Sequence, residues 1–267
     1  MKSKNLLCSL IIVACAHQYI QAQDRVFAQT YQTNVLPSGI KELEYWSTLR
    51  SGRTNFYNAI DQRLELELGL GGKLQTAFYL NIKSESFSVI EGIEKTTTVG
   101  FSNEWKYKMT DPVANRVGSA LYFEVGFDGE EIEFEGKIIL DKKFGNNLVA
   151  FNGVSEYEIG YHVVNGVTTT SSESPFEFDF AYLHFLNNHI GIGLEARNHN
   201  EVSEDEGWEN SVWYAGPTFH FNGANWFINL NVQPQLFNAR KEEGSTQNLE
   251  LNTHEKLNAR VLISFNF

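Results

Sequence analysis

Leu64-Glu65-Leu66-Glu67-Leu68-Gly69-Leu70 decides the fold. Every second residue is leucine, and the residues between are Glu, Glu and Gly. A helix would scatter these leucines around its whole circumference. A strand puts them on one face and the carboxylates on the other. Gly71-Gly72 then offers a tight turn. The next stretch repeats the pattern, with Leu74, Thr76, Phe78, Leu80 and Ile82 sharing a face.

The same alternation runs to the end of the chain. One face carries Leu121, Phe123, Val125 and Phe127. Another carries Ile132, Phe134, Gly136, Ile138 and Leu140. Phe176, Phe178, Phe180 and Tyr182 follow, then Ile190, Ile192, Leu194 and Ala196, then Trp226, Ile228, Leu230 and Val232. The last segment runs Leu257, Ala259, Val261, Ile263, Phe265 and Phe267. Weaker strands fit at 39–50, 97–108, 147–159 and 210–221. The sum is about 12 strands.

Connection lengths alternate too. Compact ones lie at Gly71-Gly72, around Asp111-Pro112, at 142–146, at Asn187-Asn188 and at 222–225. Long polar ones lie near 85–96, 160–174, 200–209 and 237–254. A soluble sandwich has no reason to sort its loops in this way. A meander crossing a membrane does, with short turns on the periplasmic side and long loops outside. Lipid leaves no partner for an open sheet edge, so the strands must close. The reading is all-β: a transmembrane antiparallel up-and-down β-barrel over 39–267.

The N-terminus reads as a signal peptide over 1–22. Lys2 and Lys4 precede an apolar core from Leu6 to Cys15, and Ala22 marks a plausible cleavage point. This core falls short of the roughly 20 residues that span a bilayer. Ile12-Val13-Ala14-Cys15 also resembles a lipobox, which leaves lipidation of Cys15 open. Cleavage near Ala22 removes both cysteines, so the mature chain carries no disulfide and no thiol. Lys2 and Lys4 leave with it, so the 21 bases fall to 19 against 33 acids, a net charge of −14. That charge disfavours nucleic acid as a partner. Residues 23–38 lack alternation and read as a lead, either periplasmic or tucked into the lumen.

Alternation turns many charges inward: Glu42, Glu44, Asp61, Glu65, Glu67, Glu104, Glu124, Glu131, Glu133, Glu135, Asp141, Glu156, Glu158, Glu177, Asp179 and Glu195. The inward bases are Arg50, Arg63, Lys83, Lys106, Lys108, Lys137, Arg197 and Arg260. Facing lipid, a Lys or Arg costs about 2–4 kcal/mol at the midplane and an acid rather less, so these charges belong in the lumen. Tyr45, Trp105, Tyr107, Tyr157, Tyr182, Trp213 and Trp226 lie where interfacial girdles would form.

The terminal strand from Leu257 to Phe267, ending in Phe265 and Phe267, resembles the C-terminal signal of Gram-negative outer-membrane proteins. The resemblance implies export to the outer membrane, contact with its lipid, and recognition by the barrel-assembly machinery. Leu36-Pro37-Ser38-Gly39 through Glu44-Tyr45-Trp46, with Asp61 to Glu65 and Leu74 to Leu80, resembles an uncharacterised family of outer-membrane barrels often labelled as outer-membrane proteins or transporters. It carries over no functional residue.

Two functions stay open. The acid excess favours a passive pore or transporter for small solutes, cations above all, because a ring of acids raises the local cation concentration. Alternatively, acids and bases pair across a narrow interior, and a non-conducting barrel presents its extracellular loops to a partner. Strand number alone does not set the lumen width. A membrane-embedded hydrolase is the weakest reading. Phospholipase barrels place a serine two residues after a histidine, whereas His184, His189, His199 and His220 are followed at that spacing by Leu186, Gly191, Glu201 and Asn222. No catalytic residue and no cofactor is expected. His162, His184, His189, His199, His220 and His254 are scattered without ligand spacing, so no metal is expected. The acidic stretch Glu201 to Gly207 lacks the oxygen spacing of an EF-hand.

Overall fold

The computed structural model describes residues 25–164, 166–240 and 247–267. The signal-peptide and Cys15 expectations lie outside the described residues. The described chain forms only strands and connections: β1 (Lys41–Ser51), β2 (Tyr57–Gly71), β3 (Leu74–Val89), β4 (Gly92–Thr110), β5 (Gly118–Phe127), β6 (Glu131–Phe144), β7 (Asn147–Val164), β8 (Val167–Glu173), β9 (Phe176–Phe185), β10 (Ile190–Ser203), β11 (Gly207–Asn222), β12 (Trp226–Asn238) and β13 (Leu257–Asn266).

Twelve of these strands close a ring, each antiparallel to its neighbours. β13 returns to β1 with Phe265 opposite Leu43 and Ile263 opposite Tyr45. Closure leaves no edge in the ring. β8 stands outside it. The inner part of β7 pairs with β9, where Ser155 faces Phe176, and its outer part pairs with β8, where Ile159 faces Ser172. Pro175 sits at the break and has no N–H to give the ladder, while its carbonyl accepts from Glu156 N at 2.9 Å.

The two ends of the barrel differ. The terminal end carries Lys41, Asn266 and the turns after β2, β4, β6, β9 and β11. One of its two-residue turns is Gly72-Lys73, one residue later than expected. Both residues have positive φ, at 59° and 75°, and the strand twist favours that geometry in a two-residue hairpin.

The other, hairpin end corrects the sequence reading. Three stretches taken as long loops, 85–96, 160–174 and 200–209, are largely strand. β3 and β4 stay paired out to Val89 and Gly92, although β5 stops with Phe127 opposite Phe101. β7 and β8 pair out to Val164 and Val167, and β10 and β11 to Ser203 and Gly207. These are hairpins standing above the ring. Their Thr, Ser and Glu residues bury neither face, so they lack the apolar alternation that marks the ring strands. Of the fourth stretch, 237–254, β12 takes in residues to Asn238, and the described residues 239–240 and 247–256 belong to no strand.

The outer wall is apolar. Leu64, Phe78, Phe101, Phe123, Ile138, Phe180, Leu194, Leu230 and Phe265 are all exposed there. The interior is polar, and the largest hydrophobic clusters inside it involve the N-terminal segment rather than the strands alone.

Candidate functional site

The lead lies inside the barrel over 25–36 and leaves it at Pro37 and Ser38. From Arg25 to Thr33 every residue is buried. A backbone without its own secondary structure must find other partners for its N–H and C=O groups. Here the inward side chains of the strands supply them.

Ala28 N, Gln29 N and Thr30 N all donate to the carboxylate of Glu195, at 3.0, 2.8 and 2.9 Å, and Thr218 Oγ1 adds a fourth donor at 2.8 Å. Asn152 binds both backbone groups of Tyr31. Asp141 accepts from Thr33 Oγ1 at 2.6 Å and from Thr33 N at 3.3 Å. Gln75 Oε1 accepts from Leu36 N at 2.9 Å. Asn229 Nδ2 donates to the carbonyls of Arg25 and Phe27 at 2.9 and 3.3 Å. The plug therefore ties to β3, β6, β7, β10 and β12.

Its side chains fill what remains. Phe27 packs with Leu148, Ala150, Ala181 and Leu183. The ring of Tyr31 meets Tyr122 edge-on at 5.2 Å, with Lys137 Nζ 4.4 Å from its centre. Arg25 stacks over the same ring at 4.0 Å and reaches Glu44 at 3.6 Å. Two glycines make room. A Cβ on Gly118 would meet Asp141 Oδ1 at 2.2 Å and Thr33 Oγ1 at 2.8 Å, and one on Gly69 would meet the Pro37 carbonyl at 2.0 Å.

Toward the hairpin end the lumen opens into a polar vestibule of about 470 Å³. Its charged lining includes Arg50, Asp61, Arg63, Lys83, Glu133 and Glu158. Arg50 bridges Asp61 at 2.6 Å and Glu255 at 3.1 Å. Arg63 pairs with Glu124 at 3.2 Å, and its guanidinium lies 4.3 Å from the Tyr79 ring centre. Arg53 also pairs with Glu255, which ties the residues just before β13 to the start of the β1–β2 connection.

The expected lumen residues do face inward. Glu42, Glu44, Glu65, Glu67, Lys106, Glu124, Glu135, Asp179 and Glu195 are buried. Arg63, Glu131, Glu133, Lys137, Glu177, Arg197 and Arg260 are half-buried. Two groups stand out among them. Glu44, Lys137, Glu195 and Arg260 touch the plug, the last through the Ala28 carbonyl at 3.3 Å. Arg63, Glu131 and Glu133 line the vestibule. Lys137 also pairs with Glu135 at 2.9 Å, and Arg197 with Glu177 at 3.7 Å.

The expected girdle aromatics point outward. Trp105, Tyr107, Tyr182 and Trp226 sit toward the terminal end, Tyr157 and Trp213 toward the hairpin end, and Tyr45 nearer the middle of its strand. Trp213 stacks on Phe237 with ring centres 5.9 Å apart. Phe265 and Phe267 are exposed at the closing seam.

Sequence reasoning missed Arg25, Tyr31, Gln75, Asn152, Thr218 and Asn229. A signal existed. The inward positions of β12 read Asn229, Asn231, Gln233 and Gln235, all buried. Amides on a buried face need partners, and an inner chain would provide them.

A closed ring with an apolar outer wall, a polar interior and an inserted plug defines a β-barrel of the outer-membrane fold. The chain belongs to the family of unknown function DUF6662, whose model matches residues 19–267. No curated protein matches it in sequence. Among solved structures it is similar to the translocator domain of the autotransporter NalP from Neisseria meningitidis, at 10% identity and a TM-score of 0.60, over 87% of this chain and 90% of that one. It is also similar to the beta domain of the Bordetella autotransporter BrkA, at 9% identity and a TM-score of 0.58, over 86% of this chain and 100% of that one. The NanC porin aligns at 12% identity and a TM-score of 0.49, over 84% and 98%. At such identities the likeness is one of fold.

Proposed function

We propose that the protein resides in the outer membrane as a transport barrel, held closed by its own N-terminal segment, whose outward vestibule admits small cationic solutes. The observation carrying this reading is the set of side-chain grips on the plug, Glu195 on residues 28–30 and Asn152 on Tyr31. Such grips release the plug without breaking a single ladder bond of the ring. Above the plug, acids outnumber bases. Asp61, Asp128, Glu131, Glu133, Glu156 and Glu158 line the vestibule against Arg50, Arg63 and Lys83. A low-dielectric wall focuses that field and concentrates cations. The exposed Phe265 and Phe267 fit recognition of the last strand during assembly, and the apolar outer wall fits contact with lipid.

Planar-bilayer recording on the mature protein tests the reading. The wild type should stay mostly closed. Glu195→Gln combined with Asn152→Ala should open a cation-selective conductance. A large steady conductance from the wild type would overturn the closing role of the plug. Silence in both would replace transport with the non-conducting barrel, which the occupied lumen also favours, and its hairpin end would then be the surface to probe for a partner.

A further inference from the structure

At the mouth of the lumen, two histidines from distant parts of the chain meet. His199 lies on β10 and His254 on the connection between β12 and β13, with ring centres 5.4 Å apart. Glu201, two residues beyond His199 and therefore on the same face of β10, completes the group. One donor atom from each of His199, Glu201 and His254 lies within 4.8 Å of the other two. His254 Nε2 stands 3.9 Å from Glu201 Oε1, too far for a hydrogen bond. Zinc bonds of about 2.0–2.1 Å in a tetrahedron put neighbouring ligand atoms roughly 3.3 Å apart, so small side-chain rotations close the set.

What surrounds the group distinguishes it from a chance cluster. His199 Nδ1 donates to Glu177 Oε2 at 3.1 Å. His254 Nδ1 lies 3.0 Å from Glu250 Oε2 and 3.0 Å from Thr253 Oγ1. A carboxylate only accepts, so each Nδ1 is the donor, and Nε2 is the nitrogen that the neutral ring would offer to a metal. Metal-binding histidines are oriented in this way, with the second ring nitrogen donating to a carboxylate. The outer carboxylates are themselves fixed. Glu250 accepts from Asn252 N at 2.8 Å and from His254 N at 2.9 Å. The remaining oxygen of Glu201 accepts from Asn210 Nδ2 at 2.5 Å.

We propose that His199, Glu201 and His254 form a binding site for a divalent transition-metal cation of the zinc class. Three protein ligands leave a fourth position to water. Two imidazoles select against calcium and magnesium, which prefer an all-oxygen shell. Occupancy fastens the connection over 248–256 to β10.

The test uses tag-free mature protein in detergent micelles. Calorimetric titration should find one equivalent of Zn²⁺ bound, undisturbed by excess Ca²⁺ or Mg²⁺. Co²⁺ should give the intense visible bands of four-coordinate cobalt. His254→Ala should abolish both signals, and Glu201→Gln should weaken Zn²⁺ at least tenfold. Glu177 is not itself a ligand, yet Glu177→Gln should still weaken Zn²⁺ by about 10–100-fold, through His199. Heat-modifiable gel migration shows that each variant remains a folded barrel. Absence of stoichiometric Zn²⁺ binding, equal binding of Ca²⁺, or binding undiminished in the folded His254→Ala variant would overturn the site.

Discussion

Asn152 holds Tyr31 by both of its backbone groups. Its Oδ1 accepts from Tyr31 N at 2.7 Å, and its Nδ2 donates to Tyr31 O at 3.0 Å. One side chain thus imitates a rung of β-ladder for a segment that belongs to no sheet. Asn152 is fully buried, so no water replaces it if it is lost. Asn152→Ala should leave two backbone groups unpaired at a cost of about 2 kcal/mol, since an unsatisfied buried group costs roughly 1–3 kcal/mol. Hydrogen exchange at the Tyr31 amide should accelerate by a factor of roughly 30, each 1.4 kcal/mol being tenfold. Unchanged exchange there would mean that the plug is held elsewhere.

Gly69 sits where the plug leaves the lumen. A methyl group there overlaps the Pro37 and Leu36 carbonyls, at 2.0 and 2.7 Å. A close-packed interior does not absorb such overlaps. Gly69→Ala should push residues 36–37 away and break the Leu36–Gln75 bond. The Leu36 amide should then exchange faster while the ring strands keep their protection.

The outer wall sets a test of membrane embedding. Leu64 faces outward near the middle of β2, and Ile93 lies on the projecting hairpin of β3 and β4. Leu64→Arg should cost about 2–4 kcal/mol in equilibrium folding into lipid vesicles. Ile93→Arg should cost almost nothing. Equal costs at both positions would contradict the placement of the apolar belt.

The turn after β4 carries an acid-sensitive clasp. Lys108 donates to Asp111 at 2.6 Å, and Val113 N and Ala114 N donate to its other oxygen at 2.9 and 3.0 Å. The Lys108 hydrogen bond, helped by the backbone donors, holds the carboxyl at about 2, below its ordinary 3.8. The folded form prefers the ionised carboxylate. Its contribution is therefore complete above pH 3.8 and fades as pH falls through about 2. An NMR titration of the Asp111 carboxyl should give that low midpoint, and Lys108→Met should raise it.

Sidedness follows from the two ends. Single cysteines at Val167, on the β7–β8 hairpin, should react with an impermeant thiol probe on intact cells. Cysteines at Gly72 and Asn188, in terminal-end turns, should stay silent until the outer membrane is breached. The reverse pattern would invert the topology.

The ring was legible because each of its strands separates an apolar outer face from a polar lumen. That separation forces an apolar residue at every second position, as in Leu64 to Leu70. The stretches around Thr96 and Ser171 divide nothing and are polar on both faces, so they passed for loops. The plug was illegible for a different reason. Arg25 to Thr33 follows no period, and its partners sit on strands scattered through the chain. The same holds for His199 and His254, whose approach depends on where residues 247–256 lie against β10. Inward charges could be assigned from alternation, but their partition between plug and vestibule depends on depth along tilted strands.

The plug also has a mechanical meaning. A hollow ring of twelve strands flattens into an oval at little cost, because bending a sheet breaks no hydrogen bond. Residues 25–36 reach from Gln75 on one wall to Asn152, Glu195 and Asn229 on others. They act as spokes in a wheel. Lateral pressure on one side of the barrel is carried across the lumen to its far side, and the circumference keeps its shape for as long as the spokes stay fastened.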